Sequence, residues 1–226
     1  MKKLISALAG VLLLLPGCSW KDSVTYSGLE AGTIGSGVFT TDNGVKMNVV
    51  GNALKLDVTS ARRVLVSYET HPVTDAAVID IDLLGLWEAG IITPDPAGTL
   101  GEDPDGDPVQ VTDAWFNAGY LNVLASYEGK DSSKHKLSAV YTADENGIVI
   151  RLRHADLETS EDGTQVENVF LSIPMDEPVL SFDQSNQAVG KKPAYPVSVL
   201  FQWTWYTLES GPLMLYEKKG SFTPSL

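Results

Sequence analysis

Acidic side chains are concentrated in segment 94–108, whose sequence is Pro-Asp-Pro-Ala-Gly-Thr-Leu-Gly-Glu-Asp-Pro-Asp-Gly-Asp-Pro. Carboxylate oxygens on a loop are the ligands that Ca²⁺ prefers. The candidate calcium ligands are Glu102, Asp103, Asp105 and Asp107. The glycine is misplaced for an EF-hand, which needs one at the sixth loop position. A solvated acidic linker explains the same composition, so calcium stands as a hypothesis beside that interpretation, and no other cofactor is indicated.

The histidines give no positive indication of catalysis. His71, His135 and His154 are far apart in sequence and lack the spacings that place two imidazoles on one metal ion. His154 continues an apolar row that begins at Ile148, which predicts a histidine at the end of a buried row. Nucleophile-elbow, zinc-protease, P-loop and dinucleotide motifs are all missing from the sequence. We therefore predict a protein that is not an enzyme, and we keep a hydrolase with an unrecognised site as the weakest alternative.

Two tryptophans follow each other at alternate positions of a predicted strand over residues 197–206. Trp203 and Trp205 continue its apolar face, whereas Gln202 and Tyr206 lie on the other face and are expected to meet solvent. Such a row is usually core in a β-sandwich, but it can also form a stacking surface for a sugar or peptide. The candidate binding residues are Trp203, Trp205 and Tyr206. The remaining tryptophans are Trp20, Trp87 and Trp115.

The N-terminus carries the signature of an exported lipoprotein. A basic start, Met1-Lys2-Lys3, precedes an apolar run over residues 4–15 that is too short to span a bilayer. Leu15-Pro16-Gly17-Cys18 follows and resembles the bacterial lipobox. We predict a signal peptide over 1–17, lipidation of Cys18 and a polar tether over 18–23. Because Cys18 is the sole cysteine, a disulfide and a thiolate metal site are both excluded.

The net charge of the chain limits the kinds of partner that it is expected to bind. The 226 residues carry a formal net charge of −13, and removal of Lys2 and Lys3 with the signal peptide makes it −15. Phosphate backbones and anionic lipid headgroups repel such a chain, so nucleic acid is not expected as a partner. A cationic peptide suits it, and the lipid on Cys18 supplies the membrane contact. We expect the bacterial cell envelope as the location, at the outer membrane, with the periplasmic or surface face left open.

Residues after the tether alternate with period two and show no window of twelve or more with helical periodicity. We expect a strand over 32–40, a tight turn at Asp42-Asn43-Gly44, strands over 45–50, 62–70 and 78–83, and a fifth over 84–93. Beyond the acidic segment, seven short strands are the signature of a β-sandwich. The predicted ranges of these seven strands are 109–115, 120–127, 135–141, 148–154, 166–173, 197–206 and 213–216.

The fold prediction is therefore all-β, with an N-terminal OB-like small barrel followed by a C-terminal antiparallel β-sandwich. Scattered glycines in a first strand that must bend suit a small closed barrel. The barrel is assigned to residues 24–93, an acidic Pro/Gly linker to 94–108 and the sandwich to 109–226.

The order of these features resembles the NigD-like family of lipoproteins, in which an OB-type barrel precedes a β-sandwich. The resemblance covers most of the mature chain, and the residues that carry it are Gly32-Thr33-Ile34, the hairpin Phe39-Thr40-Thr41-Asp42-Asn43-Gly44, Asp107-Pro108, Trp115 and Gly119-Tyr120-Leu121-Asn122. It implies a link to bacteriocin immunity and supplies no catalytic residues. The leading functional hypothesis is a non-catalytic envelope lipoprotein that binds a partner, in its sharper form by sequestering a cationic peptide. The alternative is a structural or accessory subunit of an envelope assembly.

Overall fold

A computed structural model describes residues 25–72, 78–102, 105–129, 132–157, 165–207 and 211–224. The predicted signal peptide over 1–17, Cys18 with the tether over 18–23, Trp20 and Asp103 lie outside the described residues. Within these ranges no helix is long and apolar enough to cross a membrane.

The described chain forms fourteen strands and one α-helix. The strands are β1 Ser27–Gly35, β2 Val38–Thr41, β3 Lys46–Gly51, β4 Arg62–Thr70, β5 Ile79–Glu88, β6 Gly90–Ile91, β7 Asp95–Pro96, β8 Gln110–Asn117, β9 Tyr120–Gly129, β10 His135–Asp144, β11 Gly147–Asp156, β12 Gln165–Pro174, β13 Val197–Tyr206 and β14 Leu213–Phe222. The helix, α1, spans Asp176–Ala188 between β12 and β13.

Strands β1 to β5 close into a barrel in the order β1-β2-β3-β5-β4. The single strand expected over 32–40 is a hairpin instead, because Ser36 and Gly37 have positive φ angles of 53° and 77° and make a two-residue turn. Strand β5 continues to Glu88, so the fifth strand expected over 84–93 does not exist as a separate element. The core of the barrel consists of Ile34, Phe39, Met47, Val64, Val66, Tyr68, Ile81 and Leu83.

Two sheets form the C-terminal β-sandwich, with strand orders β14-β13-β11-β10-β7 and β6-β12-β9-β8. All seven strands predicted beyond the acidic segment are present. Most pairs are antiparallel, but β11 pairs with β13 in parallel, as do the two-residue strands β6 and β7 with their neighbours. The interior is lined by alternate residues of both sheets, including Val123, Ile150 and Phe201.

Helix α1 contradicts the expectation that no helix is present. Its buried residues are Pro178, Val179, Phe182 and Asn186, which follow the spacing of one helix face. The segment escaped recognition because the rest of it is polar, so the apolar stripe is narrow. Val179 and Phe182 belong to the sandwich core, which the helix therefore extends at one end.

The acidic segment lies across the sandwich rather than away from it. The backbone N–H and C=O of Asp105 both bond to the hydroxyl of Thr204, and the N–H of Val109 donates to the carbonyl of Thr204 at 3.0 Å. The N–H of Asp107 donates to the carbonyl of His154 at 2.8 Å. Residues 105–109 are thereby fixed to β11 and β13.

Candidate functional site

The carboxylates proposed for calcium are used in other contacts. Asp105 forms an ion pair with Arg153, and Asp107 Oδ2 accepts a 2.7 Å hydrogen bond from the N–H of Asp156. Glu102 is exposed. Among the described residues no three His, Cys, Asp or Glu side chains are grouped so as to hold a metal ion. Since Asp103 lies outside the described residues, calcium binding stays a prediction.

The tryptophan pair of β13 is placed mainly by packing. Trp203 stacks between Phe201 and Tyr216, with ring centroids 5.4 and 6.0 Å away, and it packs against the sandwich core. Trp205 meets Tyr206 edge to face at 5.3 Å, and both are partly exposed. Gln202 was expected to meet solvent, but it is only 9% exposed. The acidic segment over residues 94–108 covers this part of the sheet, and Arg151 donates a hydrogen bond to the side-chain oxygen of Gln202. Stacking of a ligand on the pair stays a prediction.

An apolar groove lies where the barrel meets the sandwich. Leu29, Leu65 and Trp87 form its barrel wall, and Leu124 and Phe170 belong to its sandwich wall, around a volume of about 320 Å³. Trp87 is 46% exposed and Leu29 53% exposed, which is a large apolar exposure for two neighbouring side chains. We call this set of five residues the junction groove.

Local structure explains why Trp87 is presented in this way. Its indole lies against Gly85, where a Cβ atom would come within 2.7 Å of Cη2 of the ring. A bulge in β5 opposite Ser67 and Tyr68 precedes this glycine, and bulges redirect side chains at strand ends. Trp87 is one of five tryptophans in the sequence, and no sequence pattern indicated its exposure.

Beneath the groove the two domains share a small hydrophobic cluster. Ala31 and Leu65 of the barrel and Phe170 of the sandwich are 4 to 6% exposed, and Trp115 stacks on Phe170 at 6.1 Å. This cluster gives the junction groove a packed floor.

A polar network beside that cluster joins the same walls. Arg63 on β4 makes a two-pronged ion pair with Asp42, with both N···O distances at 2.8 Å. Its Nε donates to Ser172 Oγ at 2.7 Å and its Nη2 to Asn122 Oδ1 at 2.8 Å. The guanidinium also lies 4.0 Å from the ring centroid of Tyr120. One arginine therefore links the barrel to two strands of the sandwich.

An acidic patch, which we define as Glu69, Asp80 and Asp82, lies on the outer wall of the barrel. Glu69 and Asp82 are partners across β4 and β5, the strands that also carry Leu65 and Trp87. Four residues separate Leu65 from Glu69 on the same strand face, which corresponds to about 13 Å. Carboxylates and an apolar groove are thus neighbours on one surface.

The electrostatic effect of the patch is visible at His71. His71 Nε2 lies 2.9 Å from Asp82 Oδ1. The hydrogen bond to Asp82, followed by the charges of Asp82, Asp80 and Glu69, raises the pKa of His71 above its ordinary value of 6.5. The patch therefore stabilises positive charge placed against it.

Two of the three histidines meet, which their sequence positions did not suggest. His135 Nδ1 lies 2.9 Å from His154 Nε2, and His154 Nδ1 lies 3.0 Å from the carbonyl of Pro108. Tyr127 packs on both rings at 4.7 and 4.9 Å. His154 is 3% exposed, as expected for the end of a buried row. The sequence Asp144-Glu145-Asn146-Gly147 is typical of a hairpin turn and fixes the register of β10 with β11, so it was the signal that could have brought these histidines together.

Comparisons with known proteins agree with this architecture. Residues 92–186 match the NigD-like C-terminal beta sandwich domain family. A NigD-like immunity protein from Bacteroides caccae shares 21% identity at a TM-score of 0.59, covering 84% of this chain and 91% of the other. No curated protein matches the sequence.

Two further solved structures have the same fold. A protein of unknown function from Bacteroides vulgatus is 18% identical at a TM-score of 0.57, with 89% of this chain and 92% of the other covered. A candidate lipoprotein from Bacteroides fragilis is 14% identical at a TM-score of 0.55, with 86% and 97% covered. At these identities the likeness shows the fold alone. The family match over residues 92–186 agrees with the resemblance drawn from the sequence.

Proposed function

We propose that this protein, whose residues 92–186 belong to the NigD-like C-terminal β-sandwich family, is a non-catalytic bacterial envelope lipoprotein that binds a cationic peptide. A similar solved structure is that of a NigD-like immunity protein, and sequestration of a cationic bacteriocin is the form of immunity that the charge of this chain suits. The lipid on Cys18 holds it at the membrane. In this proposal the protein acts by binding its partner and catalyses no reaction.

The observation that carries the proposal is the half-exposed Trp87 in the junction groove. Exposed tryptophans in apolar pockets are typical of residues that contribute most to a protein interface. The packed cluster of Ala31, Leu65 and Phe170 beneath it favours a preformed groove, which lowers the entropic cost of binding.

The acidic patch supports a cationic occupant. An amphipathic peptide placing an apolar side chain against Trp87 can bring a lysine or arginine to Glu69 or Asp82 about 13 Å away along the strand. Electrostatic attraction of this kind raises the association rate more than the affinity and weakens as salt shortens the Debye length. Desolvation of Trp87 then supplies the affinity.

The test uses the mature chain carrying Cys18→Ser, titrated with cationic amphipathic peptides while tryptophan emission and association rate are followed. Trp87→Ala is expected to weaken binding at least about tenfold. Asp80→Asn combined with Asp82→Asn is expected to slow association and flatten its salt dependence.

Leu54→Ala is the matched control, because Leu54 is 59% exposed on the barrel and does not line the junction groove. It should leave binding unchanged. Equal binding of cationic, neutral and anionic peptides, or an undiminished affinity in Trp87→Ala, would contradict the proposal. In that case an accessory role in an envelope assembly becomes the better explanation.

A further inference from the structure

A second concave surface lies on the sandwich, on the outer face of the sheet that contains β11, β13 and β14. Its volume is about 840 Å³, and segment 98–102 and the hairpin at 144–147 form its sides. None of its lining residues belongs to the junction groove. The side chains that matter are Arg151 and Gln202, with Glu102, Glu217 and Lys219 also lining the cleft.

Arg151 is buried in this cleft with 2% exposure. Its Nη2 donates to the carbonyl of Gly101 at 2.6 Å and to Gln202 Oε1 at 3.0 Å, and its Nε lies 3.3 Å from the same oxygen. All three contacts are to neutral acceptors. The guanidinium is held in one position, and its charge is not neutralised by these partners.

Among the described residues no ion pair includes Arg151. Arg153, two positions along the same strand face, has Asp105 as its partner. Arginine remains protonated in proteins, and a buried charge is costly unless an opposite charge compensates it. The difference between these two arginines therefore points to Arg151 as a group that can bind an anion.

The remaining nitrogen of Arg151, Nη1, is available to bind one. Within the described ranges Nη1 has no hydrogen-bond partner. It is also not one of the side-chain atoms that are both fully buried and without a partner. It is therefore in contact with the cleft rather than enclosed by protein.

We propose that this cleft binds a small organic ligand through a carboxylate that pairs with Arg151. The two N–H bonds of Nη1 can donate to a carboxylate oxygen, and charge-assisted hydrogen bonds of this kind are stronger than those between neutral groups. Lys219 at the side of the cleft adds a second cationic group for the same ligand.

A carboxylate suits the cleft better than a phosphate. Glu102 and Glu217 line it as well, and their repulsion acts more strongly on a group with a charge near −2 than on one with a charge of −1. The same carboxylates tolerate an ammonium group elsewhere on the ligand.

The experiment is a titration of the mature chain carrying Cys18→Ser with benzoate, followed by the ¹⁵N NMR signals of Gly101 N–H, Gln202 and the Arg151 Nε–H. Saturable shifts confined to the cleft are expected, with benzamide of the same shape producing none. Arg151→Lys should weaken benzoate binding at least about tenfold, because an ammonium group cannot keep the contacts with Gly101 and Gln202 and also donate to the ligand from the position of Nη1. Arg153→Lys is the matched control and should bind as the wild type does.

Leu200→Trp keeps the test decisive if Arg151→Lys fails to fold. Leu200 lines the cleft two positions from Gln202 on the same strand face, so a tryptophan there occupies space beside Arg151, and benzoate shifts should disappear while the spectrum stays folded. Equal shifts with benzamide, retained shifts in Leu200→Trp or tighter binding of inorganic phosphate than of benzoate would each overturn the proposal. None of these outcomes bears on peptide binding at the junction groove.

Discussion

Arg63 shows how one side chain fixes the relation between the two domains. Its ion pair with Asp42 is nearly enclosed, with 9% and 6% side-chain exposure, and its other donors reach Ser172 and Asn122 across the junction. Enclosure makes such a pair costly to break, because the remaining charge is left without compensation. Exposed pairs behave differently, since water screens them.

Arg63→Ala is expected to lower the free energy of unfolding by about 3 kcal/mol, since Asp42 is then left nearly buried and unpaired. Denaturant unfolding at neutral pH measures this change. The control is Lys218→Ala, which breaks the exposed pair with Asp113 and should cost less than about 1 kcal/mol. Similar losses in the two variants would show that the junction network is not a major stabilising feature.

The buried histidine of β11 predicts a dependence of stability on pH. Desolvation, opposed by a hydrogen bond to Pro108, lowers the pKa of His154 below 6.5. The charge of His135 also lowers this pKa, while the charges of Asp107 and Asp156 raise it. Because the folded state takes up the proton less readily, the contribution to stability is complete above pH 6.5 and is lost as the pH falls below it.

We expect the free energy of unfolding to decline between pH 7 and 5, by at most about 1.4 kcal/mol per pH unit for this one proton. His154→Gln should remove that decline. His71 provides the opposite case, because its raised pKa gives stability that is present below pH 6.5 and lost as the pH rises through the folded value. Because His71 acts in the opposite direction, the difference between the wild-type and His154→Gln curves carries the test, and a pH dependence that His154→Gln leaves unchanged would contradict the assignment to His154.

Composition alone did not indicate that helix α1 forms or that part of the acidic segment is fixed to the sandwich. Asp176 and Glu177 in the first turn, Pro178 close behind and Gly190 after the end are ordinary helix boundary signals. They were available in the sequence, but the narrow apolar stripe made the helical period hard to recognise. Packing of Val179 and Phe182 on the sandwich stabilises this helix.

The acidic segment is predicted to be the first site of proteolysis and the division between two domains. Residues 97–102 are partly or fully exposed, whereas 105–109 are bonded to β11 and β13. Limited proteolysis should therefore cut within 97–102 first. The two fragments should stay together on gel filtration, because the Arg63 network and the cluster around Phe170 join them. First cuts within β13 would count against the boundary.

Membrane attachment of the whole molecule is predicted to depend on Cys18, which lies outside the described residues. The predicted anchor is the lipid on Cys18, since each acyl CH₂ contributes roughly 0.8 kcal/mol of membrane affinity. Cys18→Ala is expected to release the protein into the soluble fraction after a salt wash. Membrane retention of a variant from which the signal peptide has been removed would contradict the lipoprotein prediction.

Alternation of apolar residues and turn positions determined the fold class from the sequence. The strand β4 was predicted at its observed bounds, Arg62–Thr70, because a period of two with turns at both ends depends only on neighbouring residues. The Ser36-Gly37 turn was missed because alternation continues on both sides of a two-residue hairpin. Strand periods and turns depend on residues close together in the chain, so the local sequence contains the information that specifies them.

Only the tertiary structure decided which side chains work together. Arg63 is 109 residues from Ser172 along the chain, and Arg151 is 51 residues from Gln202. The exposure of Trp87 depends on how the barrel meets the sandwich, and the burial of Gln202 depends on a segment that crosses over its sheet. Such contacts result from packing between distant elements, whereas the pattern within each strand specifies only which faces are apolar.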